Sequence, residues 1–304
     1  VYSAVPILSV PDGDEILESC EKLIETCNKT GQYYMLGETT YYRPEAQFCR
    51  RKAAEGEFGE FVYAEGEYYH DVDHGLREVK KHREASRSGR EWKKKAKEYS
   101  KRGVLGGPMH YPTHSTGGPV CVMNAHAVKV SAFPYFSKAR KDWHGVAPAN
   151  ETALFKMSND ASVRINEYRE IGFGGRETFR VYGNEGSFEN NVWHTKWDKQ
   201  NLNVDEMRDP LPKEVNEAFN KGHSLAKGLS PDLSEQEKKD FLGGHGGSHA
   251  YLVHEFVSAV AESRQSVINI WEAARYMVMG VMAHKSAMKD GELLDVPDFG
   301  DAPE

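Results

Sequence analysis

Four short segments carry residue types that do chemistry. Glu38 comes directly after a short apolar and aromatic stretch, 32–37, that reads as a strand. In open α/β sheets the carboxyl ends of strands form the ligand crevice, so Glu38 stands where a carboxylate meets a ribose or sugar hydroxyl. The plain alternative is a capped turn. Tyr68-Tyr69-His70-Asp71 closes a longer strand. A phenol beside an imidazole can move protons when both pKa values are tuned, and strand alternation puts the two tyrosines on opposite faces.

Tyr111-Pro112-Thr113-His114 lies between Gly106-Gly107-Pro108 and Gly117-Gly118-Pro119. Such a frame fixes an irregular backbone, which is how loops hold side chains at a site, and the start of a helix there brings free N–H groups. Gly243 to Ser248 is a second glycine-rich loop, and it holds His245. A metal reading would enlist His245, His249 and His254. There is no HExxH pattern and the spacing is loose for zinc, so no metal is expected, and His245 is read as a hydrogen-bonding histidine beside a substrate.

The elements around these segments follow from periodicity. Residues 1–8 read as a strand. Asp12 and Glu15 have capping-box spacing, apolar residues from Ile16 to Cys27 recur at helical period, and Gly31 takes the C′ position. With the strand at 32–37 this is a βαβ unit. Pro44 opens another helix, which Gly56 ends. Residues 1–57 therefore read as the C-terminal part of a Rossmann-like doubly wound sheet. Residues 58–304 read as an α+β unit with a large open, mostly antiparallel sheet. Its strands are expected at 61–69, 127–136, 151–158, 161–169, 176–182 and 187–193, and its helices at 248–263 and 270–289. Residues 194–244 read as long loops.

A doubly wound sheet needs more strands than these, and the missing ones carry G-x-G-x-x-G. Neither Gly172–Gly175 nor Gly243–Gly247 follows a parallel strand and opens a helix. A chain that opens inside a strand suggests that a segment upstream was removed or not included.

The 304 residues suffice for one large domain or two ordinary ones, and the net charge of −7 argues against a polyanion partner. Residues 71–103 hold twelve Lys/Arg against six Asp/Glu. The interspersed acids and the single Trp favour a solvated helical excursion, or a flap over the site, over a nucleic-acid patch. No apolar run approaches the ~18 residues of a membrane span. Four cysteines without a CxxC pair read as reduced thiols, which favours the cytoplasm.

Taken in order, these motifs resemble the glucose–fructose oxidoreductase / inositol dehydrogenase family. The resemblance runs through 14–37, Glu55-Gly56-Glu57-Phe58-Gly59-Glu60, Tyr182-Gly183-Asn184-Glu185-Gly186-Ser187, Gly280 to Ala287 and Val296-Pro297-Asp298-Phe299. It implies a Rossmann domain that binds NAD or NADP, and a C-terminal domain whose open sheet makes a homo-oligomer. Glu38, Tyr69-His70-Asp71, Tyr111-Pro112-Thr113-His114 and Gly244-His245-Gly246-Gly247 are most similar to the branch with NAD-dependent α-N-acetylgalactosaminidases.

By that resemblance Tyr111 and His114 contact the reacting hydroxyls of a sugar-like substrate and Tyr69 is the candidate base. His70 and His245 bind substrate. Glu38 contacts the ring or the cofactor, with Pro6 beside the cofactor. The implied reaction is hydride transfer at a ring hydroxyl. The alternatives are a redox-assisted glycosidase and a truncated, non-catalytic binding or assembly module. Two departures matter. Where family dehydrogenases carry Glu-Lys-Pro this chain has Ala4-Val5-Pro6, and where the glycosidases carry Thr-His-Gly-Leu-Gly it has Thr113-His114-Ser115-Thr116-Gly117.

Overall fold

The computed structural model describes residues 1–217 and 244–303. Strand β1 (Tyr2–Ser3) leads into helix α1 (Gly13–Thr30) and then β2 (Met35–Leu36), which pairs with β1 in parallel. The Asp12 carboxylate caps α1 by accepting the N–H groups of Asp14 and Glu15, and Gly31 closes the helix at φ +65°. The reciprocal arm of the expected capping box is not used, because Glu15 pairs with Lys95 and Tyr99 instead. Both strands are shorter than expected. Pairing in this two-stranded sheet stops where the chain turns toward buried Pro6 and Glu38.

Helix α2 (Pro44–Ala54) starts on its proline. Strand β3 (Phe61–His70) follows. The basic segment then forms two exposed helices, α3 (Arg77–Ala85) and α4 (Arg87–Lys101). Helix α5 (Thr113–Met123), β4 (Ala127–Tyr135), the short α6 (Lys141–His144), β5 (Asn150–Met157), β6 (Ser162–Tyr168) and β7 (Gly175–Gly183) come next. The strand expected over 187–193 is two strands, β8 (Gly186–Glu189) and β9 (Val192–Thr195). Asn190 and Asn191 sit between them at φ 50° and 61°, the left-handed conformation of a two-residue hairpin turn. The expected long loops after residue 194 hold β10 (Lys199–Asn201) and α7 (Val204–Met207), and residues 218–243 of that stretch lie outside the described residues. Helix α8 (Ser248–Ala261), helix α9 (Ile270–Ala287) and β11 (Leu294–Asp295) close the chain, with Asn269 capping α9.

The larger sheet has nine strands in the order β10-β9-β8-β7-β3-β6-β5-β4-β11, and only β3 and β6 run parallel. A Rossmann-like parallel fragment followed by an α+β unit with a large, mostly antiparallel sheet is thus the observed fold. One face of the sheet buries Ala64, Val163, Ile165, Phe155, Phe179, Val181, Phe188 and Trp193 beneath the helices. The opposite face is open, with Leu154 54% and Phe133 58% exposed. It also carries Glu65 bridging Arg164 and Arg180 at 2.8 and 2.6 Å.

Helix α5 lies almost on the sheet backbone. A Cβ added to Gly66 of β3 would stand 1.8 Å from the Ser115 carbonyl oxygen, and one on Gly118 would stand 2.6 Å from the Phe179 ring. Glycine at both positions allows the approach that seats the start of α5 over the ends of four strands.

Candidate functional site

The site is built on one register row. Glu151 of β5 lies opposite Glu167 of β6, Glu167 opposite Tyr68 of β3, and Tyr68 opposite Glu177 of β7. All four side chains point to the helix-covered face, on the same alternation as Ala153, Ile165, Ala64 and Phe179. β5 and β7 begin where β3 and β6 end, so the row lies along one edge of the sheet.

Three carboxylates in a row, Glu151 and Glu167 buried and Glu177 nearly so, demand partners. Glu151 meets His284 of α9: Nδ1 donates to its Oε1 at 2.6 Å and Nε2 donates to the Leu105 carbonyl at 2.9 Å. Both partners are acceptors, so both ring nitrogens carry protons and His284 is an imidazolium. Burial works against that charge, but Glu151 and the carbonyl raise the His284 pKa above the usual value. The other oxygen of Glu151 accepts the Met109 amide at 3.0 Å and so fixes the loop before Tyr111. Glu167 accepts the Ser115 hydroxyl and an Arg169 N–H at 2.7 Å. Burial pushes Glu167 up to about 7 in spite of Arg169. Glu177 pairs with Arg43 at 2.6 Å and accepts the Thr40 hydroxyl at 2.9 Å.

His114, in the first turn of α5, donates from Nδ1 to Glu38 at 2.9 Å and stands 3.6 Å from Glu177. Glu38 is fully buried and also accepts the Thr40 amide at 2.8 Å. Burial alone would push both groups toward neutrality. Their mutual attraction wins, holding Glu38 down at about 2 and His114 up at about 9. At neutral pH the pair is carboxylate and imidazolium. Nδ1 is committed to Glu38, which leaves Nε2–H as the donor for a ligand.

Aromatic rings surround this cation. Tyr68 lies 4.9 Å from the His114 ring, Tyr111 5.6 Å, and His245 is stacked at 6.2 Å. The Tyr68 hydroxyl is hydrogen-bonded to Nδ1 of His70 at 3.2 Å, and Arg169 lies over the Tyr68 ring. Burial raises the pKa of Tyr68 and Tyr111 and lowers that of His70 and His245. The His245 loop turns through Gly246 and Gly247 at positive φ and is held by Arg208 donating to the Gly246 carbonyl. Gly243, the first residue expected in that loop, lies outside the described residues.

Of the residues singled out from sequence, the fold thus brings Glu38, His70, Tyr111, His114 and His245 together. Tyr69 does not join them. It sits on the open face of the sheet, stacked on Tyr168 at 4.8 Å and accepting from Asn166. The reason is strand alternation: Tyr68 holds the inward phase. Glu38 sits beneath His114 as its buried counter-ion, at 0% exposure. Pro6 is buried beyond the carboxyl end of β1, as Glu38 is beyond that of β2. Glu167, Arg169, Glu177 and Arg43 were not foreseen, and Tyr68 was named with its segment but given no role. The signal for the two glutamates was present: each occupies the apolar phase of its strand, in Val163-x-Ile165-x-Glu167 and Glu177-x-Phe179-x-Val181.

Glu38, His114 and Glu177 are close enough to hold a cation. Their facing atoms are already matched with each other, with Thr40 and with Arg43, so the set reads as an ion-pair network. For a dinucleotide, the described residues offer the carboxyl ends of two parallel strands and no phosphate cradle. The β1–α1 connection, 4–12, contains no glycine. A bound dinucleotide would therefore need its phosphates held by residues other than these.

Residues 172–302 match the model of the glycosyl hydrolase 109 C-terminal domain. An α-N-acetylgalactosaminidase of Tannerella forsythia is 20% identical over 93% of this chain and 63% of its own length. The chain thus spans somewhat under two-thirds of the length of such curated relatives. Myo-inositol 2-dehydrogenase from Lactobacillus plantarum superposes with a TM-score of 0.61 at 14% identity, covering 98% of this chain and 73% of that one. Levoglucosan dehydrogenase in complex with NADH and L-sorbose superposes at 0.60 and 14% identity, over 95% and 72%. The fold is that of these dehydrogenases, and the C-terminal portion is similar to family 109.

The Glu38–His114 pair has a defined pH window. His114 is raised from 6.5 to about 9, so its contribution to stability is complete below 6.5 and is lost as pH rises through 9. Glu38 is lowered from 4.5 to about 2, so its contribution is complete above 4.5 and is lost as pH falls through 2. Glu38→Gln should cost about 3 kcal/mol near pH 6, as removal of one partner of a buried pair does. The deficit should shrink above pH 9. Urea melts across pH 5–10 measure it, and a deficit constant to pH 10 contradicts the pairing.

Proposed function

We propose that this chain is the sugar-handling part of a nicotinamide-linked oxidoreductase that acts at a ring hydroxyl. One observation carries the reading: a buried histidine, His114, hydrogen-bonded to the buried Glu38, is presented among two phenols and further imidazoles. Such a wall suits a polyhydroxylated ring, which offers C–H edges to aromatic faces and hydroxyls to the donors. Tyr68 is the proposed base. It receives the hydroxyl proton as its own passes to neutral His70, to which it is already hydrogen-bonded. The Nε2–H of His114 faces the same oxygen, which is negative once its proton is removed and gives that charge up as the hydride leaves, and an imidazolium fixed by Glu38 stabilises the alkoxide without reorganising. Tyr111 binds a neighbouring hydroxyl, and His245 closes the far side.

When bound, NAD or NADP would accept the hydride, with its phosphates held by residues other than those described. A second reading is favoured by the match of 172–302 to the family 109 domain. In it the same proton and hydride removal makes the neighbouring C–H acidic, loss of that proton eliminates the aglycone, water adds in its place, and the hydride returns. For both, we place the protein in the cytoplasm on the strength of its four free cysteines. No helix among the described residues is long and apolar enough to cross a membrane.

Assays on free sugars and on aryl glycosides with NAD⁺ separate the readings. Net NADH from a free sugar supports oxidation, and aglycone release without net NADH supports the glycosidase. His114→Ala should abolish turnover, and Tyr68→Phe should lower kcat by about 10²-fold or more. Tyr69→Phe should leave kcat nearly unchanged. A larger loss in Tyr69→Phe than in Tyr68→Phe would refute the assignment.

The open sheet face is the proposed homo-oligomer surface, since it exposes Leu154 and Phe133 beside a Glu65–Arg164–Arg180 cluster. Leu154→Glu should shift the protein to monomer in sedimentation. An unchanged mass would move the interface elsewhere.

A further inference from the structure

The two cover helices enclose a cleft that the site described above does not use. Helix α4 is tied to the start of α1, where Lys95 pairs with Glu15 at 2.8 Å and Arg102 with Asp12 at 2.7 Å. The start of α3 is tied through Arg77, which pairs with Asp73 at 2.6 Å and Asp142 at 2.9 Å. Between these anchors lies a cavity of about 570 Å³, within the usual size range of small-molecule sites.

Its lining combines aromatic faces with positive charge. Trp92 comes from α4 and Trp143 from α6, so two indoles from separate elements border one space. Lys80 and Arg83, both of α3, also line it, with Ser86 and Ser88 adding hydroxyls. The Lys80 ammonium lies 4.4 Å from the centre of the Trp143 ring. Glu84 is the carboxylate in the lining, and Lys93 neutralises it at 2.8 Å. Neither Lys80 nor Arg83 has a carboxylate within ion-pair distance among the described residues. The cleft is therefore left with two cations that make no direct ion pair, Lys80 acting on Glu84 only at longer range, beside two indoles.

It also adjoins the reactive groups. Arg83 is near enough for its charge to act on the Tyr111 phenol. Leu76, in the lining, follows His70 by six residues.

We propose that this cleft is a second saccharide site that takes a carboxylate-bearing sugar, such as a uronic acid, as part of the substrate. The identification of the ligand as a sugar rests on the sugar reading of the His114 site. The indoles offer flat faces to the C–H edges of a pyranose. The Arg83 fork can grip a carboxylate through two N–H groups, with Lys80 as a second point charge. A neutral sugar would cover both cations without neutralising either, so the cleft discriminates by charge.

Calorimetry on the whole chain with glucuronate and glucose tests this, because the two sugars differ at one carbon. Glucuronate should bind at least about tenfold more tightly, and the preference should fade on raising NaCl toward 1 M. Lys80→Gln combined with Arg83→Gln should abolish the preference. Both positions are exposed, and an unchanged melting temperature confirms folding. Trp143→Ala should weaken both sugars. His114→Ala should leave glucuronate binding intact, so failure of the reactive site and failure of the cleft are told apart. Equal binding of the two sugars, or a preference that survives the double glutamine variant, overturns the proposal. So does ADP binding that displaces glucuronate and is lost in the same variant, which would make the cleft a pyrophosphate site.

Discussion

Seating three carboxylates in one row of a sheet, two buried and the third nearly so, is the constraint on which the rest of this structure depends. Glu151, Glu167 and Glu177 lie in register with Tyr68 across β5, β6, β3 and β7. None could stay charged beneath the helices without a partner. Each partner comes from an element that must then sit in one place: His284 from α9, Ser115 from α5 and Arg43 from the start of α2. Such pairs add little net stability over apolar packing. What they contribute is position, since a one-residue slip of any strand would turn its glutamate to the open face.

The reactive groups inherit that precision. Helix α5 is pinned by Ser115 on Glu167 and pressed onto Gly66, so His114 arrives over Glu38 with its Nδ1 already engaged. The carboxylate beneath it keeps the imidazole charged, and the charge is the chemistry. A neutral histidine there could act as a base, whereas an imidazolium can only donate. Proton removal then falls to the Tyr68–His70 pair on the neighbouring strand. The fold thus separates donor and acceptor by giving one histidine a buried carboxylate and by burying the other, with an arginine nearby.

Local signals in the sequence were legible where the physics is local. Asp12, Gly31 and Pro44 marked helix ends because caps act within one turn. Glu38, His70, Tyr111, His114 and His245 could be singled out because they end strands or sit in glycine-rich loops. The choice between Tyr68 and Tyr69 was not legible in that way. Alternation separates two neighbours but does not say which phase faces the helices. The glutamates at 151, 167 and 177 held that information, because each interrupts an apolar phase. Their meaning appears only when the register sets them side by side. The hairpin at Asn190-Asn191 escaped for a different reason: polar residues at positive φ interrupted a run that otherwise alternated like one strand.

The central claim is that Glu38 keeps His114 doubly protonated at neutral pH. Nitrogen-15 chemical shifts of His114, followed from pH 5 to pH 10 in selectively labelled protein, test it directly. The account predicts two protonated ring nitrogens at pH 7.5 and a transition near 9. A neutral tautomer at pH 7.5, with a transition at or below 6.5, would contradict it.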